Sequence, residues 1–147
     1  PKAFYPIYDD MDTVWGSWKA AASGSDFTRD PEIGRSSPGS LRVVTQGSSC
    51  FTRNFPVRPG RTYVATVYAK RDASGLATLA FQGKNEADEF LVPPQTAQSE
   101  VGSPWQELTL RFTIPDTGAW ATCRLLLVTL SGDDGTVWFD DFTMVEE

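Results

Sequence analysis

The sequence predicts an all-β fold, an antiparallel β-sandwich with two sheets of four to five strands. Apolar and alternating stretches recur with turn signals roughly every eight to twelve residues. The turn dipeptides Gly47-Ser48 and Pro59-Gly60 separate three of these stretches. No convincing amphipathic helix pattern interrupts them. At 147 residues, one domain spanning residues 1–147 can bury a two-layer core without disulfides.

Nine or ten stretches have strand character. The alanine run Ala20–Ala22 also permits a helical turn in the second of them. The polar stretches Gly24–Gly39 and Pro93–Pro104 are predicted as loops, because Ser, Asp, Gly and Pro favour turns. Turn signals at Pro115–Gly118 and Ser131–Gly135 divide the last three strands. The predicted strands are Lys2–Tyr8, Trp18–Ser23, Ser40–Gln46, Cys50–Val57, Thr62–Arg71, Leu76–Gln82, Phe90–Val92, Gln106–Ile114, Thr122–Leu130 and Val137–Val145.

The charge balance excludes two classes of partner. With a net charge of −6 and 13 scattered basic residues, we expect no binding to nucleic acid or to an anionic membrane, which need clustered Lys and Arg. No apolar run approaches the roughly 20 residues of a membrane span, and no signal peptide pattern opens the chain. The chain begins at Pro1, so we expect it to be a piece of a larger or processed protein.

Histidine is absent from the sequence. Its absence removes the usual general base, the usual partner of a Ser or Cys nucleophile and the commonest zinc ligand. The two cysteines, Cys50 and Cys123, are too far apart for a C-x-x-C motif. They allow a disulfide, as in an exported protein, or two buried thiols. If their strands are antiparallel neighbours, the two residues lie at opposite ends and cannot be bonded.

The stretch Thr136–Val145 joins an aromatic strand pattern to two carboxylates. If Trp138, Phe142 and Met144 face the core, Asp140 falls on the same side. A buried carboxylate needs an ion, an Arg or a set of backbone donors as its partner. A register shifted by one residue would instead leave Asp140 in solvent at a strand end.

Four stretches together resemble the β-jelly-roll carbohydrate-binding modules of families 4, 9, 16 and 22, which share the galactose-binding-like fold. They are Asp10-Met11-Asp12 followed by Trp15, then Gly34–Val43, Phe55–Tyr63, and Trp105–Pro115 with Gly135–Met144. The resemblance extends over almost the whole chain, and the order of its parts is more specific than any one of them. It supports the fold, while the ligand remains open, because a fold does not fix a function.

The resemblance also implies a structural calcium ion near the chain ends. Carried over to this sequence, its side-chain ligands are Asp12 and Asp140, with Asp10 as a further candidate and backbone oxygens near Gly39 or Ser40. Calcium takes six to eight oxygen ligands, and carboxylates that meet at one point need a cation between them. Asp12 stands where the family usually has Glu, so the shorter side chain reaches less far.

A sugar-binding face is expected on the concave sheet. The sequence predicts that Trp120, Arg124 and Leu126 face outward while Cys123, Leu125 and Leu127 face the core. On the neighbouring strand, either Phe51 and Arg53 or Thr52 and Asn54 face the ligand. Further candidates are Gln82 and Phe90, which would close a cleft together with Asn85, and Trp18, which fits either the core or the ligand face. Arg124 has a second interpretation, as the partner of a neighbouring carboxylate.

These observations predict a non-catalytic carbohydrate-binding module, not an enzyme. A glycosidase needs two carboxylates that face each other across a cleft, whereas Glu86, Asp88 and Glu89 share one loop and are expected to be a solvated cluster. The expected partners are a polysaccharide or oligosaccharide and a covalently linked catalytic domain, and the expected state is a secreted or cell-surface monomer. The alternative is a structural or protein-interaction domain of a large extracellular protein.

Overall fold

The computed structural model describes residues 7–12, 14–72, 76–98, 105–133 and 135–147. Eleven strands and one short 3₁₀ helix, Gly118–Thr122, lie within these ranges. The helix is too short to cross a membrane, and the described ranges contain no other. The strands are β1 (Ile7–Asp9), β2 (Gly16–Lys19), β3 (Asp26–Asp30), β4 (Ser40–Thr45), β5 (Ser49–Pro56), β6 (Thr62–Arg71), β7 (Leu76–Asn85), β8 (Phe90–Gln98), β9 (Gln106–Thr113), β10 (Cys123–Asp133) and β11 (Gly135–Glu146).

The strands form two antiparallel sheets, which confirms the predicted β-sandwich. The first sheet has the order β3-β4-β11-β6-β9, with β1 paired to β11, and the second has the order β2-β5-β10-β7-β8. The six strands of the first sheet exceed the four to five expected. One reason is that β3 (Asp26–Asp30) pairs with β4 inside the stretch predicted as a loop. The polar residues around it concealed a five-residue strand.

The core lies between the two sheets and draws apolar side chains from both. Along β6 every second residue is buried, from Tyr63 to Arg71. Aromatic rings meet across the interface: Phe51 of β5 packs edge-on against Phe27 of β3 with ring centroids 4.9 Å apart, and Phe55 stacks on Phe142 at 5.7 Å. Burial of this kind contributes about 25 cal/mol per Å² of apolar surface and is the main stabilising term of the sandwich.

Two predicted turns are strand in the structure. β8 continues from Phe90 to Gln98, although Pro93–Pro104 was predicted as a loop, and residues 99–104 lie outside the described ranges. β8 is an edge strand with an irregular register opposite Phe81 to Gly83, which is where proline is tolerated in a sheet. β10 likewise extends to Asp133. Residues 2–6 of the predicted first strand lie outside the described ranges.

Candidate functional site

The facing of β10 is opposite to the sequence prediction. Leu126, Val128 and Leu130 are fully buried, whereas Leu125 and Leu127 keep part of their surface in solvent. A β-bulge between Cys123 and Leu125 shifts the register, so Cys123 and Leu126 both face the core. The prediction that Leu126 binds a ligand is therefore wrong. The polar residues Thr129 and Ser131, which share the parity of Leu127, carried the signal that would have shown this.

Trp120 does not stand on the open face of the sheet, so that prediction is also wrong. It belongs to the 3₁₀ helix and packs against the core. Its ring meets Phe112 of β9 edge-on, with centroids 5.2 Å apart. It lies so close to Gly83 that a Cβ there would collide with it. Gly83 is thus required for Trp120 to close this end of the sandwich.

On β5, Thr52 and Asn54 form the ligand-facing pair, which is the second of the two predicted alternatives. Phe51 is fully buried, and Arg53 points toward the end of the core, where its Nη1 lies 2.7 Å from Asp9 Oδ2. Thr52 and Asn54 face outward instead. Phe51 and Arg53 are therefore corrected from ligand-binding residues to a core residue and an ion-pair residue.

The outward side chains of β2, β5, β7, β8 and β10 make one continuous surface, which we call the ligand face. Cross-strand register sets Asn54, Leu127 and Gln82 in one row, and Thr52, Thr129 and Ala80 in the next. The outer face of a half-buried sheet usually alternates polar residues with the core. Here the two leucines of β10 add apolar surface between amides and hydroxyls. The ligand face comprises Trp18, Thr52, Asn54, Thr78, Ala80, Gln82, Lys84, Phe90, Leu125, Leu127, Thr129 and Ser131.

Two exposed aromatic rings stand at opposite corners of the ligand face. Trp18 on β2 is 54% exposed and Phe90 on β8 is 53% exposed. Trp18 lies beside Cys50, and Phe90 lies beside Lys84, whose ammonium is 5.2 Å from the Phe90 ring centroid. Four strand spacings and six residues along a strand separate the rings, which places them roughly 25–30 Å apart. An extended ligand can span that distance, whereas a single sugar cannot.

The amide groups between these rings have no competing partner in the part of the chain that the structure describes. Neither Asn54 nor Gln82 makes a side-chain hydrogen bond to any described residue. Planar amides offer two donors and two lone pairs each. The centre of the ligand face can therefore hydrogen-bond neighbouring hydroxyl groups of a bound molecule. Gln82, Phe90 and Trp18 all lie on the ligand face, which for Trp18 is one of the two alternatives left open by the sequence. Their role in binding stays a prediction.

The acidic residues near the ligand face lie in the turn between β7 and β8, where each forms an ion pair or a hydrogen bond. Glu86 Oε1 lies 2.8 Å from Arg124 Nη2, and Asp88 pairs with Lys84 at 3.0 Å. Glu89 accepts a hydrogen bond from Asn85. The partner of Arg124 is thus a neighbouring carboxylate, as its second interpretation anticipated. Among the described outward residues of β5, β7 and β10 none is a carboxylate, so a hydrolytic pair is not assembled there.

The two cysteines are free thiols. Cys50 lies on the outward side of β5 and Cys123 is buried at the far end of β10, so the register keeps them apart. Burial raises the pKa of both thiols, which keeps them protonated at neutral pH and poor nucleophiles. Neither residue contributes a thiolate to the face.

Asp140 is buried, but not in the core. It shares the outer parity of Trp138, and a bulge between Asp140 and Thr143 returns Phe142 to the core side. Residues 31–39 fold over it, and its Oδ2 accepts the backbone N–H of Arg35 at 2.8 Å. Its Oδ1 accepts the N–H of Asp141. Of the three partners foreseen for this carboxylate, backbone donors are the ones present.

The predicted calcium ligands do not fit an ion in this arrangement. The Asp12 side chain is 76% exposed and lies 3.8 Å from the Arg29 guanidinium. Arg29 Nε donates to the Met11 carbonyl at 2.9 Å. Its Nη2 lies so close to Gly39 that a side chain at that position would collide with it. Across the described ranges, no three acidic or cysteine side chains gather closely enough to hold a metal, Asp10 included. We therefore expect no calcium at this place, and a comparison of unfolding with and without a chelator tests that expectation.

Solved structures show what the fold resembles, whereas no family model and no curated protein sequence matches the chain. One similar structure contains the family 22 carbohydrate-binding module and the GH10 modules of a Clostridium thermocellum endo-1,4-beta-D-xylanase, complexed with xylohexaose. Its TM-score is 0.72 at 17% identity, over 97% of this chain and 29% of that one. A second is a family 22 xylan-binding domain of Paenibacillus barcinonensis, with a TM-score of 0.69 at 12% identity, over 99% and 97% of the two chains.

A third similar structure comes from outside the xylan-binding modules. The enzymatically active domain of a bacteriophage tailspike protein has a TM-score of 0.64 at 12% identity, over 97% of this chain and 19% of that one. Identities of this size show a shared fold. The chain therefore has the fold of the family 22 carbohydrate-binding modules, which confirms the fold that the sequence resemblance implied. It spans less than a third of the first structure's chain.

Proposed function

We propose that this chain is a non-catalytic carbohydrate-binding module that holds an extended polysaccharide on its ligand face. The observation that carries the proposal is the position of two amides, Asn54 and Gln82, between the exposed rings of Trp18 and Phe90. Neither amide bonds a side chain or backbone group of the described residues. Aromatic rings pack against the apolar C–H faces of sugars, and planar amides bind the hydroxyls. The leucines of β10 extend the apolar surface between them.

The ligand is a neutral polysaccharide, with xylan as the first candidate. The net charge of −6 disfavours an acidic glycan, because like charges repel. The separation of the two rings favours a chain that lies across the sheet. Two of the similar structures are described as binding xylan or xylohexaose, which supports testing these ligands before others.

The protein works as a targeting module in an extracellular enzyme. In the first similar structure a module of this fold is joined to GH10 modules. Joining a binding module to a catalytic domain raises the effective concentration of the enzyme at its substrate. The protein itself acts as a monomer. It does not hydrolyse the glycan, because the carboxylates near the ligand face are held in ion pairs and hydrogen bonds of the β7–β8 turn.

The alternative function is a structural or protein-interaction domain of a large extracellular protein. The similarity to part of a bacteriophage tailspike protein supports keeping it, because the fold also occurs outside the xylan-binding modules. Such a domain would bind no polysaccharide through its ligand face. The two functions therefore differ in a single measurable property.

Calorimetric titration with xylohexaose, and affinity electrophoresis against soluble xylan and other neutral polysaccharides, test the proposal. Trp18→Ala and Phe90→Ala are each expected to weaken binding by roughly fivefold, since loss of one ring contact is worth about 1 kcal/mol. Val44→Ala is the matched control, because Val44 is an exposed apolar residue on the other sheet. Tryptophan fluorescence should change on binding, and Trp18→Ala should reduce that change.

Two results would overturn the proposal. Binding of wild-type strength in both Trp18→Ala and Phe90→Ala would place the glycan elsewhere on the molecule. Failure to bind any polysaccharide in the panel would favour the structural alternative.

A further inference from the structure

A pocket lies on the outer face of the six-stranded sheet, on the opposite side of the sandwich from the ligand face. We call it the loop pocket, because Arg35 and Ser36 of the loop between β3 and β4 form one of its walls. Its volume is about 390 Å³, within the range of small-molecule sites. It is lined by Tyr8, Arg35, Ser36, Tyr68, Asp141 and Thr143.

The strand register and one bulge build the pocket. Tyr8 of β1 lies opposite Thr143 of β11, so both side chains share the outer face. Between Asp140 and Thr143 the pairing with β6 shifts, and Asp141 takes a left-handed backbone with φ of 50°. This bulge turns the Asp141 side chain toward the loop, where it becomes a wall residue. Bulges often redirect side chains in this way at functional sites.

The residues of the polar wall contact one another. The Arg35 guanidinium stacks over the Tyr68 ring at 3.5 Å from its centroid and donates to Asp141 Oδ2 at 2.9 Å. Ser36 Oγ donates to the same oxygen at 3.1 Å. The Tyr68 hydroxyl donates to Glu107 at 2.7 Å. A guanidinium has five N–H donors, so Arg35 keeps donors for a ligand while its position is already fixed.

Tyr8 supplies an aromatic surface beside the polar wall of the pocket. It is 86% exposed, the highest exposure among the large apolar and aromatic residues that the structure describes. Its ring borders a pocket whose other wall carries a guanidinium, a carboxylate and hydroxyls. An apolar ring facing fixed polar groups matches the two sides of a sugar residue.

The charges around the pocket select against anions. The positive charge of Arg35 is balanced by Asp141, and the hydrogen bond between them raises the pKa of Arg35. Asp140 lies beneath the loop and Glu107 lies beside Tyr68. With more carboxylates than cations at this place, a uronate or a phosphate would be repelled.

We propose that the loop pocket is a second ligand site, which binds one neutral sugar residue through the Tyr8 ring, Arg35, Ser36 and Asp141. The site does not depend on the ligand face, so it stands or falls separately from the proposed function. If both sites are filled, the module contacts two glycan segments on opposite sides. Binding at two sites raises the apparent affinity for a polysaccharide matrix without any new contact.

Titration of the ¹⁵N-labelled protein with D-xylose, D-glucose, D-galactose and D-mannose, followed by two-dimensional NMR, tests the site. D-Glucuronate is the anionic comparison. We expect saturable shifts of the amides of Ser36, Asp141 and Thr143 with at least one neutral sugar. Tyr8→Ala should weaken this binding by roughly tenfold, because it removes the ring contact. Ser36→Ala, a smaller change, should weaken it less.

Two variants serve as controls and three outcomes overturn the site. Val44→Ala, on the same sheet but outside the pocket, and Trp18→Ala, on the ligand face, should leave the pocket shifts unchanged. Absence of saturable shifts with all four neutral sugars would disprove the site. Loss of the shifts in Trp18→Ala would show that they arise from the ligand face. Tighter binding of glucuronate than of every neutral sugar would disprove the neutral selectivity.

Discussion

The two outer faces of the sandwich use their polar residues in different ways. On the six-stranded sheet, two hydroxyl and indole pairs illustrate bonding within the protein. Thr62 bonds Thr113 at 2.7 Å, and Trp138 Nε1 donates to Asp30 at 3.1 Å. On the five-stranded sheet, Asn54 and Gln82 make no side-chain bond to a described residue.

This difference separates a structural face from a binding face. Polar groups that pair within the protein have little to gain from a ligand, since binding would have to replace bonds already made. Polar groups that bond only water can exchange it for ligand hydroxyls at little cost. In the loop pocket of the six-stranded sheet, the bond to Asp141 holds Arg35 without using all of its donors.

The largest expected effect tests which side of β10 is the ligand face. Leu126→Ala should lower the free energy of unfolding by about 2–5 kcal/mol, because it leaves a cavity in the core. Leu127→Ala, one residue away on the outer side, should cost about 1 kcal/mol or less and should weaken glycan binding. Urea denaturation measures the first quantity and calorimetric titration the second. A greater loss of stability in Leu127→Ala than in Leu126→Ala would show that Leu127 faces the core, as the sequence predicted.

The sequence predicted most of the fold because long strands carry a period-2 pattern. β6 has the predicted bounds Thr62–Arg71, and its burial alternates without a break. β3 was missed because Asp26–Asp30 has only one large apolar residue, Phe27. Its strand conformation comes from pairing with β4, which is a tertiary contact and leaves little trace in local composition.

The site was harder to predict because it depends on bulges. A single bulge at Cys123–Leu125 reverses the facing of every later residue on β10. A second bulge after Asp140 lets Trp138 and Phe142 lie on opposite sides of β11. Phe90 on the edge strand β8 was easier to interpret, since an exposed ring needs only an outer position. Because of the bulge on β10, sequence reasoning missed Leu125, Leu127 and Thr129 of the ligand face.

The next effect concerns Arg29, at the edge of the six-stranded sheet where calcium was predicted. Arg29→Met keeps the aliphatic stem but removes the donor to the buried Met11 carbonyl. We expect a loss of about 1–3 kcal/mol of unfolding free energy. Arg61→Met is the matched control at an exposed turn and should change stability by no more than about 0.5 kcal/mol.

Chelation completes this test. Because Arg29 lies among the predicted calcium ligands, we expect the wild-type unfolding midpoint to be the same in EDTA and in calcium chloride. An ion that binds only the folded state would raise the midpoint in proportion to its occupancy. A higher midpoint in calcium would therefore show that the metal binds and that the guanidinium does not take its place.

A smaller effect compares Asn54 of the ligand face, which bonds no described side chain, with a paired hydroxyl on the other sheet. Asn54→Ala should weaken glycan binding by roughly three- to tenfold and change the free energy of unfolding by no more than about 0.5 kcal/mol. Thr113→Val removes a hydroxyl pair of the six-stranded sheet, so it should cost about 0.5–1 kcal/mol of stability and leave binding unchanged. Equal effects of the two variants on binding would show that the five-stranded sheet is not the specific binding face.

The smallest effect is the pH dependence that Asp140 contributes beneath the loop. Burial raises the pKa of Asp140 above its ordinary value and outweighs the two backbone N–H donors from Arg35 and Asp141, which lower it. The folded state thus holds this proton more tightly than the unfolded chain. The stabilisation is complete below about pH 4 and is lost as the pH rises through the folded pKa.

Asp140→Asn does not titrate. The difference in unfolding midpoint, wild type minus variant, should therefore decrease as the pH rises from about 3 to 6. A difference that increases over this range would mean that the backbone donors dominate and that the carboxylate is held as an anion.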